Sequence, residues 1–365
     1  MNKKEYAEPG SWIGILGANE IAKMLCLSAH ALGYKTIVWG TKRDECAYGT
    51  ATDFANTPVE AGTINHVMKR ASVITSSNGF PEEFLSSLKK TIYPKMNVVH
   101  IAQDQFAKKA FLRKLRINYP HYVEVIAEED FNKNHAVYDF DFDESAPAIL
   151  KPKVFDPSFK GITVTGRETA YATWEMVKKV PCILERTVEE ICRFSIAVSM
   201  GIQGGSVSYH PVETRFKNGK LVETIFTGPN ISEVISDKAQ EIARRIANAL
   251  ELVGTLSIQF ILTTSGLITV DEIYAHPTSS DMWTIDACQT NVFEQHIRAI
   301  AGLPIQNPKV HAFAKTRILR DSFSMNELFS QHSNTKFHWY DKIPTKEKKN
   351  ENLGHVTHIT PIRYF

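Results

Sequence analysis

The chain has 365 residues, 43% of them hydrophobic and 22% charged, with a formal net charge of +2 at pH 7. That length calls for two or three domains, and the composition is that of an ordinary soluble globular protein. So mild a charge argues against nucleic acid as a partner. No apolar run reaches the ~18 residues that span a membrane, and the opening MNKKEYAEPGSW lacks the apolar stretch of a signal peptide. Five cysteines (Cys26, Cys46, Cys182, Cys192, Cys288) are odd in number and lack C-x-x-C spacing. Free thiols in a reducing, cytoplasmic setting fit better than disulfides or zinc.

In chain order, Trp12–Leu16 is a short apolar strand, followed by a helix pattern through Leu32 with Ile21, Met24, Leu25 and Ser28 on its inner face. Gly33 caps it, and Lys35–Trp39 is the next strand, giving a β-α-β unit and a parallel sheet. Ala71–Thr75 and Asn97–Ile101 are further strand candidates, with a helix at Pro81–Lys90 between them. The middle of the chain changes character, with short strand-type runs at Ala148–Lys151, Gly161–Val164, Pro181–Glu185 and Phe194–Ser199. Asn218-Gly219, between Val207–Phe216 and Lys220–Phe226, is a strong hairpin signal. Asp237–Leu252 and Asn291–Gly302 carry helical periodicity. A polar stretch, Asn326–Lys336, precedes a small β region at His338–Tyr340 and His355–Thr357.

A second hairpin, Leu256–Thr263 and Leu267–Ile273, ends in two adjacent acids, Asp271 and Glu272. With Ser265-Gly266 as a two-residue loop, Gln259 lies directly opposite Glu272, and opposed residues share one face of the sheet. Asp271 then points to the other face. The plain reading is a polar pair at a wet sheet edge; the sharper one is half of a magnesium site, which takes carboxylate and amide oxygens. Gly14-x-x-Gly17 lacks the third glycine of a dinucleotide fingerprint and reads as β-α packing. Cys288, at an expected helix start, has no patterned histidine partner and reads as buried structure. The 13 histidines show no H-x-x-x-H pair.

Several runs carry a resemblance along almost the whole chain. They are Ile13–Gly17 with Met24, Gln103-Asp104 with Lys109 and Leu112, and Ile183–Glu185 with Val188 and Ser195. Further on come Glu272-Ile273, WTIDAC at 283–288, FEQH at 293–296, Gly302–Pro304, His338–Tyr340 with Lys342, and Gly354–Thr357. On these runs the chain resembles the ATP-grasp ligases, and among them the ATP-dependent enzymes of purine synthesis that carboxylate an aminoimidazole ribonucleotide with bicarbonate. The resemblance implies an α/β protein of ATP-grasp architecture. Its parts would be an N-terminal doubly wound parallel α/β domain (1–104), a central mixed α+β grasp domain (105–304, with a lid at about 124–188) and a small C-terminal β segment (305–365). It implies ATP and Mg²⁺ as cofactors, a nucleotide or ribonucleotide as ligand, and a homodimer.

Carried over residue by residue, the nucleotide would be held by Lys109, Lys151, Lys160, Gly161, Glu185 and Val188. The metal would fall to Glu272 and Gln259, and the ribonucleotide to Glu20, His276 and Asn352. The departures are as telling. The family's glycine-rich phosphate loop is here Lys151–Gly161, with prolines at 152 and 157 that remove N–H donors. Arg193 stands at the family's ribose-binding Glu, Gln105 at a basic position, and Gln259 at the first metal Glu. His276 stands at the arginine for the ribonucleotide phosphate, and Glu351-Asn352 replace an Arg-Lys pair. Two outcomes follow: a working ligase that uses Mg-ATP, or a catalytically inactive homologue without those cofactors that serves as a binding or regulatory protein.

Overall fold

The computed structural model describes residues 6–41, 45–57, 61–80, 82–131, 147–154, 161–320, 334–342 and 351–362. The expected Lys160 and most of the polar 326–336 stretch lie outside them, as does most of the phosphate-loop segment. The chain forms two compact units. One comprises Met1–Val98, Phe194–Ile258 and Tyr274–Phe365; the other comprises Val99–Arg193 and Gln259–Ile273.

The first unit opens with the expected β-α-β arrangement. Its parallel sheet has the order Asp53–Asn56, Lys35–Gly40, Trp12–Leu16, Ala71–Ser76. Helix Glu20–Ala31 follows the first strand, its free N-terminal amides met by the Asn19 side chain, which accepts from the Ala22 N–H at 3.1 Å. A side chain at Gly14 would collide with Met68, and one at Gly17 with Ser77 and Asn78, so both glycines serve close packing. Ile13, Ile15, Leu25 and Val38 join Phe293 and Ile297 of helix Val292–Ala301 in one buried core.

An antiparallel sheet fills the rest of this unit. It runs through Val212–Lys217, Lys220–Phe226, Ala312–Leu319, Gly354–Pro361 and Thr335–Trp339. The small C-terminal β region thus lies in the same sheet as the Asn218-Gly219 hairpin. Trp283 stacks on Phe226 at 4.8 Å, which fixes the WTIDAC segment against that sheet.

The second unit holds a four-stranded antiparallel sheet, in the order Tyr122–Val125, Cys182–Arg186, Pro147–Pro152, Ile162–Thr165. Helix Gly166–Met176 covers it through Ala170 and Trp174. Helix Gln105–Lys114 starts at Asp104, whose carboxylate accepts from the Ala107 N–H at 3.0 Å.

Four local expectations are corrected. Residues 97–101 belong to helix Met96–Gln103, because a five-residue apolar run carries no periodicity to separate strand from helix. The helix expected at Pro81–Lys90 is only Glu82–Ser86. Val207–Phe216 is two strands, Ser206–Ser208 and Val212–Lys217, parted around Pro211, which has no N–H for a ladder. Cys288 ends helix Thr284–Ala287 instead of starting one.

Candidate active site

Helix Gln105–Lys114 has an unusual inner stripe. Gln105, Lys108, Lys109 and Leu112 stand at i, i+3, i+4 and i+7, the spacing of an apolar face, and all four are buried. Lysine is almost never fully buried unless its charge is met, yet Lys108 and Lys109 are both 0% exposed. The strands of the same unit supply the counter-charges.

Glu185, on strand Cys182–Arg186, receives Lys109 Nζ at 2.5 Å on one oxygen and Lys151 Nζ at 2.7 Å on the other. Lys151 sits on the neighbouring strand, where Ile149 is registered opposite Glu185. The Lys109 ammonium also lies over the Tyr119 ring, 5.4 Å from its centre. Glu272 forms an ion pair with Lys108, lies 3.4 Å from Lys151 Nζ, and accepts from Gln105 Nε2 at 3.3 Å. Asp271 is 3.6 Å from Lys151 and 2.8 Å from the Arg193 guanidinium, which also holds Glu190 at 2.8 Å.

The electrostatics follow from this geometry. Burial alone would raise the Glu185 carboxyl; the Lys109 and Lys151 ammonium groups outweigh it and hold it below its usual range. Burial opposes the charge of Glu272 in the same way, yet Lys108 and Lys151 bring it down to about 2. Burial pulls Lys151 downward, but Glu185, Asp271 and Glu272 together push it well above its ordinary value. The result is a dense patch of full charges, suited to exchanging one anionic partner for another.

Lys109, Lys151, Glu185 and Glu272 therefore lie together. Gly161 lies beside Lys151, at φ +115°, where a Cβ would come within 3.0 Å of the Lys151 side chain. Val188 is half-buried in the link between strands Cys182–Arg186 and Glu190–Met200. Gln259 is half-buried, but Glu272 takes its polar partners from Gln105, Lys108 and Lys151 instead. The two-residue hairpin loop is not what forms. The Thr263 N–H donates to the Leu267 carbonyl at 3.0 Å, so the loop has three residues and Gly266 takes φ +80°. Thr263 thus pairs with Leu267, one residue off the expected register at the turn; Asp271 and Glu272 still alternate along their strand, and the long Lys151 side chain reaches both.

Gln105, Lys108, Asp271 and Arg193 were not among the expected site residues. For the helix pair a signal existed: polar residues on an otherwise apolar helical stripe.

The expected ribonucleotide residues lie in the first unit. Asn352 Nδ2 donates to Glu20 Oε1 at 2.7 Å, so each is the other's partner. Glu351 is 3.6 Å from Lys342. His276 shares a 2.7 Å hydrogen bond with the Pro277 carbonyl, and burial pushes its imidazole below its ordinary value. After it, Thr278 and Asp281 close a capping box, the Asp281 carboxylate accepting from the Thr278 N–H at 2.7 Å. Burial lifts Asp281 to about 6.

Among the described residues one group, Asp286, His338 and His355, offers metal-type atoms within 4.8 Å of one another. His338 and His355 stack nearly parallel at 4.4 Å, so their lone pairs run side by side instead of converging. His338 Nε2 meets Asp286 at 2.9 Å, and His355 Nδ1 meets the Tyr340 hydroxyl at 2.7 Å. Burial pushes the Cys288 thiol up to about 12, in keeping with a structural role.

A parallel α/β domain, an antiparallel sheet whose Lys151 meets Lys109 of a helix on one glutamate, and acids at a strand end are the parts to set beside known families. The ATP-grasp domain profile matches residues 110–293, and that of the ribonucleotide synthetase preATP-grasp domain matches residues 11–103. The chain belongs to the ATP-grasp family.

Its relatives narrow the class. The N5-carboxyaminoimidazole ribonucleotide synthase of Brucella melitensis is 26% identical over 98% of this chain and 99% of that protein. The bifunctional purine synthesis protein purC/E of Dictyostelium discoideum is 26% identical over 96% of this chain, which spans 37% of that longer protein. A crystal structure of the ADP complex of an N5-carboxyaminoimidazole ribonucleotide synthetase superposes with a TM-score of 0.88. It is 24% identical, covering 98% of this chain and 94% of that one. No helix among the described residues is long and apolar enough to cross a membrane.

Proposed function

We propose that this chain is an adenine-nucleotide-binding ATP-grasp protein of the N5-carboxyaminoimidazole ribonucleotide synthase type. Its nucleotide is held by Lys109, Lys151, Glu185 and Val188. The observation that carries the reading is the convergence of Lys109 and Lys151 on the buried carboxylate of Glu185. Two ammonium groups fixed on one acid are preorganised for phosphate oxygens, because an arriving phosphate replaces one anionic partner by another without moving the lysines far. The nucleotide named in the similar ADP complex fits that chemistry. Lys160 and Gly161 complete the phosphate side on this reading, with the grasp domain taken as residues 105–304.

The reaction to test is ATP-dependent carboxylation of an aminoimidazole ribonucleotide with bicarbonate, the activity implied by the relatives' name. On this reading the protein works on small molecules, as a cytoplasmic homodimer. A second reading, an inactive homologue with a binding or regulatory role, is favoured by one specific observation. Glu20 and Asn352 satisfy each other, and Glu351 is paired with Lys342, so this region offers a phosphate little free positive charge.

The experiment is ADP release measured with ATP, bicarbonate and 5-aminoimidazole ribonucleotide, each omitted in turn. Release that needs all three supports the ligase. Nucleotide binding with no such release supports the second reading.

A further inference from the structure

The divalent cation that ATP-grasp enzymes generally use does not fit the residues this chain presents for it. Gln259 is neutral, and both acids at the end of strand Ile268–Tyr274 are committed to the chain's own cations. Glu272 is ion-paired with the fully buried Lys108, and Asp271 with Arg193 at 2.8 Å. The count within the cluster points the same way. Lys108, Lys109, Lys151 and Arg193 bring four positive charges, and Glu185, Asp271, Glu272 and Glu190 bring four negative ones. The cluster is balanced without a metal, and among the described residues each of its acids is already held by a cation of the chain, so an added dication must displace one of them.

We propose that the Lys108 ammonium occupies the cation position on Glu272, so that this site takes the phosphates of a nucleotide without a divalent metal. Lys108 is suited to the part because its helix holds it there. It lies one turn from Gln105, which hydrogen-bonds the same carboxylate at 3.3 Å, and beside Lys109, which is anchored on Glu185. Gln259 fits as well, since a neutral amide avoids adding a charge that a fixed ammonium already balances. The inference rests on the nucleotide reading of this cluster, and it predicts that magnesium and Lys108 are interchangeable.

The test compares ADP affinity by calorimetry in EDTA and in excess Mg²⁺, for the wild type, Lys108→Met and Lys108→Arg. Wild type and Lys108→Arg are expected to bind ADP equally in both conditions, within about twofold. Lys108→Met frees Glu272, and there Mg²⁺ should tighten ADP by about tenfold or more. Tightening of that size in the wild type would overturn the inference. A second measurement keeps the two readings apart and avoids dependence on the folding of Lys108→Met: titration of Mn²⁺ into nucleotide-free wild type, followed by electron paramagnetic resonance. A spectrum of free ion throughout supports the proposal even if ADP fails to bind, in which case only the nucleotide reading falls. Bound Mn²⁺ that is lost in Glu272→Gln would overturn the proposal even if ADP binds well.

Discussion

Two regions of this protein are built from similar polar residues to opposite effect. In the second unit, Lys108, Lys109 and Lys151 are held on Glu185 and Glu272 with full charges in close contact. In the first, Glu20 and Asn352 satisfy each other, and His276 is held by the neighbouring Pro277 carbonyl. A charged cluster keeps its capacity to bind an outside ion, because each member can exchange one partner for another. A locally satisfied group loses that capacity, since an incoming ligand must first break a bond it cannot replace.

The largest expected effect tests the charged side. Glu185→Leu strands Lys109 in a buried place, and losing one member of a buried ion pair costs about 3–5 kcal/mol. Urea unfolding should report a loss of that order, and ADP binding should fall with it; a variant as stable as the wild type would show that Glu185 is not what pays for the buried lysines. The next test restores charge to the locally satisfied side. His276→Arg combined with Asn352→Lys should recover charge-assisted contacts worth about 1.5–3 kcal/mol. Affinity for 5-aminoimidazole ribonucleotide, measured by calorimetry, should rise by at least tenfold. An unchanged affinity would mean that this region is not a phosphate site at all.

The two regions also titrate in opposite directions. Glu272, held at about 2 against an ordinary 4.5, contributes stability that is present above pH 4.5 and lost as pH falls through about 2. Asp281, raised from 3.8 to about 6, contributes stability that is present below pH 3.8 and lost as pH rises through about 6. Unfolding followed across pH should therefore show two separate slopes, with Glu272→Gln flattening the acid one and Asp281→Asn the milder one. The smallest expected effect is Thr278→Ala, which removes one half of the capping box and should cost about 1 kcal/mol in thermal or urea unfolding.

Much of this was legible in the sequence, for reasons that differ by residue. The Trp12–Leu16 strand, helix Glu20–Ala31 and strand Lys35–Gly40 follow from period and punctuation, with Gly33 at a left-handed turn of φ +81°. Lys109, Lys151, Glu185 and Glu272 were legible through motif resemblance, and they do meet. Lys108 was not, because a lysine beside a recognised lysine reads as solvent-facing until the stripe Gln105, Lys108, Lys109, Leu112 is drawn on a helix. Asp271 was set aside on an assumed two-residue loop. One hydrogen bond, from the Thr263 N–H to the Leu267 carbonyl, lengthens that loop, and the long Lys151 side chain reaches Asp271 as well as Glu272. Register depends on a single turn residue, and the sequence does not announce which one.

The central claim is that the paired lysines on Glu185 form a nucleotide site. The direct measurement is calorimetric titration of ADP into the wild type and into Lys151→Met. Saturable binding to the wild type is expected, weakened by at least tenfold in the variant. Equal affinity in the two, or no binding to a folded wild type, would contradict it.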